Sequence, residues 1–284
     1  MPKIAIITDT DSSLPASVAA RLEIQLVPIK IQFGSESFDT GLDIDDRRLF
    51  ERVDSEGKLP KTAAPAPGLF VAAYQRAFDA GAEQIICITI SSEVSAVCSA
   101  ATTASQEFPG RDIHVVDSRT MSMAQGFMAI TAAEMAGHGA SCQEILTAIN
   151  DVRDRSRLYG ALATLKYLAM SGRVGQVAAG FASILNIRPI LTVKDGKLVL
   201  LERIRTQRLA WERLVSLVEQ AAGGRAIERV AFLQVAAEDD AARFVEQFKQ
   251  RVACPPEAIT VEVTPGLSVH TGAGMVGVVV VLGR

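Results

Sequence analysis

Through about residue 155, short runs of β-branched and aliphatic residues alternate with longer stretches of helical period, and turn residues stand at the switches. That alternation is the signature of a parallel sheet whose strands are joined by crossover helices. It predicts strands at residues 3–7, 26–33, 84–90 and 112–116, and helices at 67–80 and 95–107. Pro67 suits a helix start and Gly81 a helix stop. Asp9, Ser91 and Asp117 then fall at the carboxyl ends of strands, the edge where open α/β sheets bind ligands.

From about residue 158 the pattern becomes strand-rich, with runs at 160–164, 189–193, 197–204, 229–235, 258–263 and 276–282. Two helices, 209–222 and 239–252, would cover one face of the sheet they form, and Asp195-Gly196 predicts a hairpin turn. The expected fold is therefore two-domain α/β. Residues 1–157 form a Rossmann-like three-layer α/β/α domain with a parallel sheet, and 158–284 a two-layer α+β domain with a mixed sheet. No internal repeat or low-complexity segment is present, which removes solenoids and disordered tails.

At 284 residues and 49% hydrophobic content, the chain can bury two modest cores and a ligand cavity besides. Its 29 basic and 32 acidic residues are spread evenly and sum to −3, a field too diffuse to gather nucleic acid. Cys87, Cys98, Cys142 and Cys254 lie far apart with no C-x-x-C pair, as expected of reduced thiols in cytosol. The strand-like Ile4-Ala5-Ile6-Ile7 follows the first residues directly, without the regions of a signal peptide. No apolar stretch approaches the ~20 residues needed to span a bilayer. A soluble, cytoplasmic protein is expected.

Several segments could carry chemistry. Thr8-Asp9-Thr10-Asp11-Ser12-Ser13 delivers two carboxylates to the end of the first strand. An Asp-x-Asp there suits a haloacid-dehalogenase-like phosphatase, with Asp9 attacking phosphorus, Asp11 as acid/base, magnesium nearby, and Ser91, Lys166 and Asp239-Asp240 completing the scheme. Equally, Asp11, Ser12 or Ser13 simply caps the next helix. The string Gly272-x-Gly274-x-x-Gly277 is not a dinucleotide site, because a strand and not a helix follows it. As a Gly-rich turn bearing His270 and Thr271, it could hold a carboxylate or merely connect two strands. Thr62 and Ser95 each stand at or just before a predicted helix start, where a bound anion is favoured, although either serves as a plain cap. No G-x-S-x-G elbow, H-E-x-x-H pair or G-x-x-x-x-G-K-[ST] loop exists.

In order along the chain come Ile7-Thr8-Asp9-Thr10, Lys61-Thr62 with Pro65 and Pro67, Ile90-Ser91-Ser92 with Ser95, and Val116-Asp117-Ser118. Then follow Leu165-Lys166-Tyr167-Leu168 with Ser171-Gly172-Arg173, the run Leu185-Asn186-Ile187-Arg188-Pro189-Ile190-Leu191, Arg203-Ile204-Arg205-Thr206, and His270-Thr271-Gly272 with Gly274. These eight ordered pieces, spanning the whole chain, resemble the DegV family. The resemblance implies a carrier that catalyses nothing, uses no cofactor and buries a long-chain fatty acid between its domains. It implies as partner a cytosolic fatty acid kinase with a dihydroxyacetone-kinase-like domain, which phosphorylates the presented carboxylate using ATP and magnesium. It leaves room for transient membrane contact and none for nucleic acid.

By position, the resemblance gives Thr62 and Ser95 to the carboxylate, and His270, Thr271 and Gly272 to the polar end of the pocket. It gives Arg173, Arg203 and Arg205 to the kinase. An apolar tunnel needs walls, and Met121, Met123, Phe127, Phe181, Ile184 and Leu185 are the candidates, each of which ordinary core packing would also explain. The chain departs from the family pattern at Ala63-Ala64, at Glu93, at Ala96-Val97 and at Asp11. Three readings remain: an acyl carrier, the phosphatase, and a lipid-free sensor or scaffold.

Overall fold

A computed structural model describes residues 2–172 and 187–284, so Arg173, Phe181, Ile184 and Leu185 lie outside the described residues. The first half runs β1 (Ile4–Asp9), α1 (Ala16–Arg21), β2 (Gln25–Val27), β3 (Lys30–Phe33), β4 (Glu36–Asp39), α2 (Asp46–Glu56) and β5 (Lys61–Ala63). It continues with α3 (Pro67–Asp79), β6 (Gln84–Thr89), α4 (Val97–Ser105), β7 (Asp112–Asp117), α5 (Met123–Gly137) and α6 (Cys142–Arg155). Strands in the order β2-β1-β6-β7 form a wholly parallel sheet, as the alternating pattern predicts.

One expected strand is two. Residues 26–33 divide at Pro28, which has no N–H to give to a ladder. β2 ends on one side of it in the parallel sheet, while β3 joins β4 and β5 in a small antiparallel sheet. The Ile29 N–H freed by the break donates instead to the Thr10 hydroxyl, at 3.0 Å.

The second half runs β8 (Ser156–Ala161), α7 (Lys166–Met170), β9 (Arg188–Lys194), β10 (Lys197–Ile204), α8 (Gln207–Ala222), β11 (Ile227–Val235), α9 (Glu238–Lys249), β12 (Ile259–Glu262), α10 (Pro265–Thr271) and β13 (Met275–Leu282). Six of these strands form a mixed sheet in the order β10-β9-β8-β13-β11-β12. β8 begins four residues before the expected 160, because pairing with β13 extends back through Arg157 to Ser156. The hairpin between β9 and β10 turns at Asp195 (φ 52°) and Gly196 (φ 81°), the pair of positive φ angles that a tight two-residue turn demands. Its tip is bonded to the first half: Ser91 Oγ donates to Gly196 O at 2.8 Å, and Arg119 Nη2 to Asp195 O at 2.9 Å.

Side chains alternate across this sheet, so each strand serves two environments. One set (Ile190, Val230, Phe232, Val276, Val278, Val280) packs under α8 and α9 against Trp211, Phe244 and Phe248. The neighbouring set (Leu191, Ala231, Leu233, Met275, Val279, Val281) faces the other way and shares a core with α5 and α6. Among the described residues, no helix is long and apolar enough to cross a membrane.

Candidate functional site

On that second face of the six-stranded sheet, where it meets the carboxyl edge of the parallel sheet, lies a cavity of about 370 Å³. Small-molecule pockets run roughly 300–1,000 Å³. Leu158, Leu162, Leu191, Leu198, Leu233 and Met275 line it from the second half, and Ile29, Ile90 and Met121 from the first. Most of these are buried, whereas Thr62, Ser95, His270 and Thr271, which also line it, are half-exposed. The cavity is thus a greasy interior with a polar rim.

Three elements build the rim. Thr62 sits on β5, opposite Ile31 of β3, and not at a helix start as the sequence suggests; Lys61-Thr62-Ala63 is too short a run to announce itself as a strand. Ser95 lies two residues before α4, as expected, and its hydroxyl has no partner among the described residues. The third element is α10, which replaces the expected Gly-rich turn over residues 265–271. Pro265 at its first position fixes the helical φ. Beside it, Thr264 Oγ1 donates to Thr10 O at 2.9 Å.

α10 brings His270 Nε2 to 3.4 Å from Thr62 Oγ1, although 208 positions separate them in sequence. Thr271 Oγ1 donates back to Ser268 O. Gly272 ends the helix at φ 78°, with the Tyr167 ring where a Cβ would stand, so it shapes the rim without lining the cavity.

Of the described wall candidates, Met121 lines the cavity. Met123 and Phe127 do not: both are buried in the core that α5 shares with the sheets. Their helical spacing reports packing and not a pocket. Arg203 and Arg205 are exposed where β10 ends. The aliphatic wall from β8, β9, β10, β11 and β13 is absent from the sequence reading. Period-two alternation on those strands was the signal for it, since the inward residue of each pair is the one left uncovered by α8 and α9.

Asp9 and Asp11 part company. Asp9 is fully buried and accepts from the N–H of Asp11 (3.0 Å), the N–H of Ile90 (2.8 Å) and Gln125 Nε2 (3.0 Å). Burial pushes its carboxyl up to about 6, with those hydrogen bonds opposing the rise. It does not border the cavity, so its oxygens fasten β1 to β6 and have no face left for attack on a substrate. The other pieces of the phosphatase scheme are dispersed: Ser91 is spent on the hairpin, Lys166 is exposed over the Tyr167 ring, and Asp240 pairs with Arg243 and Gln207. None of Asp11, Ser12 and Ser13 caps α1, whose N-cap position is Pro15. Asp11 lines the cavity.

Residues 3–282 match the family described as "Uncharacterised protein, DegV family". The chain belongs to the DegV family. It is 33% identical to a DegV domain-containing protein of Streptomyces coelicolor over 98% of both chains. Among solved structures, a DegV family protein from Thermus thermophilus, described by its fatty acid binding, superposes with TM-score 0.93 at 29% identity, covering 99% of this chain and 100% of that one. DegV of Bacillus subtilis, described as a fatty acid binding protein, gives 0.89 at 26% identity over 100% of both. The two-part α/β architecture of this DegV chain is thus the one its relatives adopt.

Proposed function

We propose that this DegV protein is a non-catalytic, cytoplasmic carrier. It holds one long-chain fatty acid in the cavity and presents the carboxylate to a separate fatty acid kinase. The observation that carries the reading is a largely aliphatic cavity whose accessible end is lined by Thr62 and Ser95 together with His270. Each methylene moved from water into such an interior contributes about 0.8 kcal/mol. The two hydroxyls can bind a carboxylate without a committed ion pair, leaving an oxygen for phosphoryl transfer. Fatty acid binding by the Thermus and Bacillus relatives supports the ligand class. No cofactor enters this reading.

Denaturing extraction of the purified protein followed by mass spectrometry should return a stoichiometric long-chain acid. Lipid-free protein that also fails to bind added palmitate would refute the proposal. Replacing Thr62 and Ser95 together by alanine should weaken palmitate binding by about 2 kcal/mol, roughly thirtyfold, with the fold intact by circular dichroism.

The kinase would dock where Arg203 and Arg205 stand exposed beside the exposed Leu201 and Leu209, a mixture of guanidinium and apolar surface suited to a partner. Arg203→Glu with Arg205→Glu should slow acyl-phosphate formation by an added fatty acid kinase at least tenfold while retaining bound lipid. An unchanged rate would place the kinase elsewhere.

A further inference from the structure

A plain hydrocarbon leaves one group in the cavity unaccounted for. Asp11 borders it beside Ile29, Ile90 and Ser122, yet is only 4% exposed. Its Oδ1 is buried, and among the described residues no hydrogen bond reaches its carboxyl. Leaving a buried polar group unpaired costs about 1–3 kcal/mol, so native proteins rarely do it without a use for the group. Burial, and then the charge of Asp9, holds the Asp11 carboxyl well above the usual carboxylate range. Such a shift favours the protonated form of the carboxyl, which can both donate and accept.

Its place along the cavity is fixed by α10. Oδ1 packs against Gly266, where even a Cβ would overlap it. Gly266 stands four residues before His270 on the same helical face. The carboxyl therefore lies against α10 one helical turn before the residue that carries the rim histidine. With a fatty acid headed at Thr62 and Ser95, Asp11 meets the chain a few carbons in, where a saturated acid has only methylenes to offer.

We infer that the ligand is an oxygenated acyl chain, one bearing a hydroxyl group a few carbons from its carboxylate, and that the Asp11 carboxyl recognises that group. The inference rests on the fatty acid reading and specifies its ligand. A hydroxyl matches a neutral carboxyl in both directions, accepting from its O–H and donating to its carbonyl oxygen. The desolvation of Asp11 then becomes a source of selectivity, since a chain without oxygen leaves the acid unpaired.

The test compares palmitic acid with its 2-, 3- and 5-hydroxy derivatives on the delipidated full chain. At least one hydroxy acid should bind about tenfold or more tightly than palmitate, the worth of one buried hydrogen bond. Asp11→Asn, which keeps a donor and an acceptor, should retain the preference, and Asp11→Leu should abolish or invert it. Equal affinity for palmitate and all three derivatives in the wild-type protein overturns the inference while leaving the fatty acid reading intact. A preference that survives in Asp11→Leu overturns it likewise. If the leucine variant fails to fold, the wild-type comparison decides. Binding of no acid at all removes the fatty acid reading and this inference with it.

Discussion

Phe232→Ala is expected to destabilise the delipidated protein by about 3–5 kcal/mol in urea denaturation, while the lipid recovered from the folded fraction stays unchanged. The Phe232 ring is fully buried, 5.2 Å from Phe248 and 6.0 Å from Phe244 in edge-on contacts, and Trp211 stands 6.2 Å beyond Phe244. Truncation would leave a hole where four rings interlock. The next residue answers to the opposite environment. Leu233 points into the cavity, so Leu233→Phe should shorten the acyl chain that the protein retains, read by mass spectrometry, at little cost to stability. A loss below 1 kcal/mol in Phe232→Ala, or an unaltered chain length in Leu233→Phe, would contradict this division of the sheet into two faces.

Stability should decline as pH rises from about 4 to about 8, and Asp46→Asn should flatten much of that decline. Asp46 is buried at the start of α2, where the Ser268 hydroxyl donates to it. Burial raises its carboxyl from the ordinary 3.8 to about 8, with Glu262, Asp45 and Glu238 adding to the rise and the Ser268 bond opposing it. Between those values the folded chain keeps a proton that the unfolded chain has released. The resulting stability is complete below about pH 4 and is lost as pH passes through about 8. Asp9 adds a slope of the same sign up to about pH 6. One proton is worth on the order of 1.4 kcal/mol per pH unit, several kcal/mol over the Asp46 window. Urea midpoints at pH 5, 7 and 9 measure it. A variant whose slope equals that of the wild type would show that Asp46 titrates normally.

Most of the strands can be read from the sequence because each is a run of β-branched residues ended by a turn, and Asp195-Gly196 names its own hairpin. What escapes has particular causes. Pro28 interrupts a continuous apolar run and sends its two halves to different sheets. α5 is buried on nearly every side, so it shows no amphipathic stripe to read. The glycines after residue 265 hide α10, although Thr264-Pro265 marks its start. The rim was accessible through resemblance, since the meeting of Thr62 with His270 is a long-range contact that no local pattern encodes. Asp11 shows the opposite failure: its residue type was noticed, but its burial and its missing partner exist only in three dimensions.

The hairpin tip acts as a latch. Ser91 and Arg119 hold the backbone carbonyls of Gly196 and Asp195, and Lys197 reaches Glu93 at 3.4 Å, so that flank of the cleft is pinned shut. On the carrier reading proposed above, a hydrocarbon would have to enter from another side of the cleft, so the same three contacts that join the two halves would also set its direction of entry.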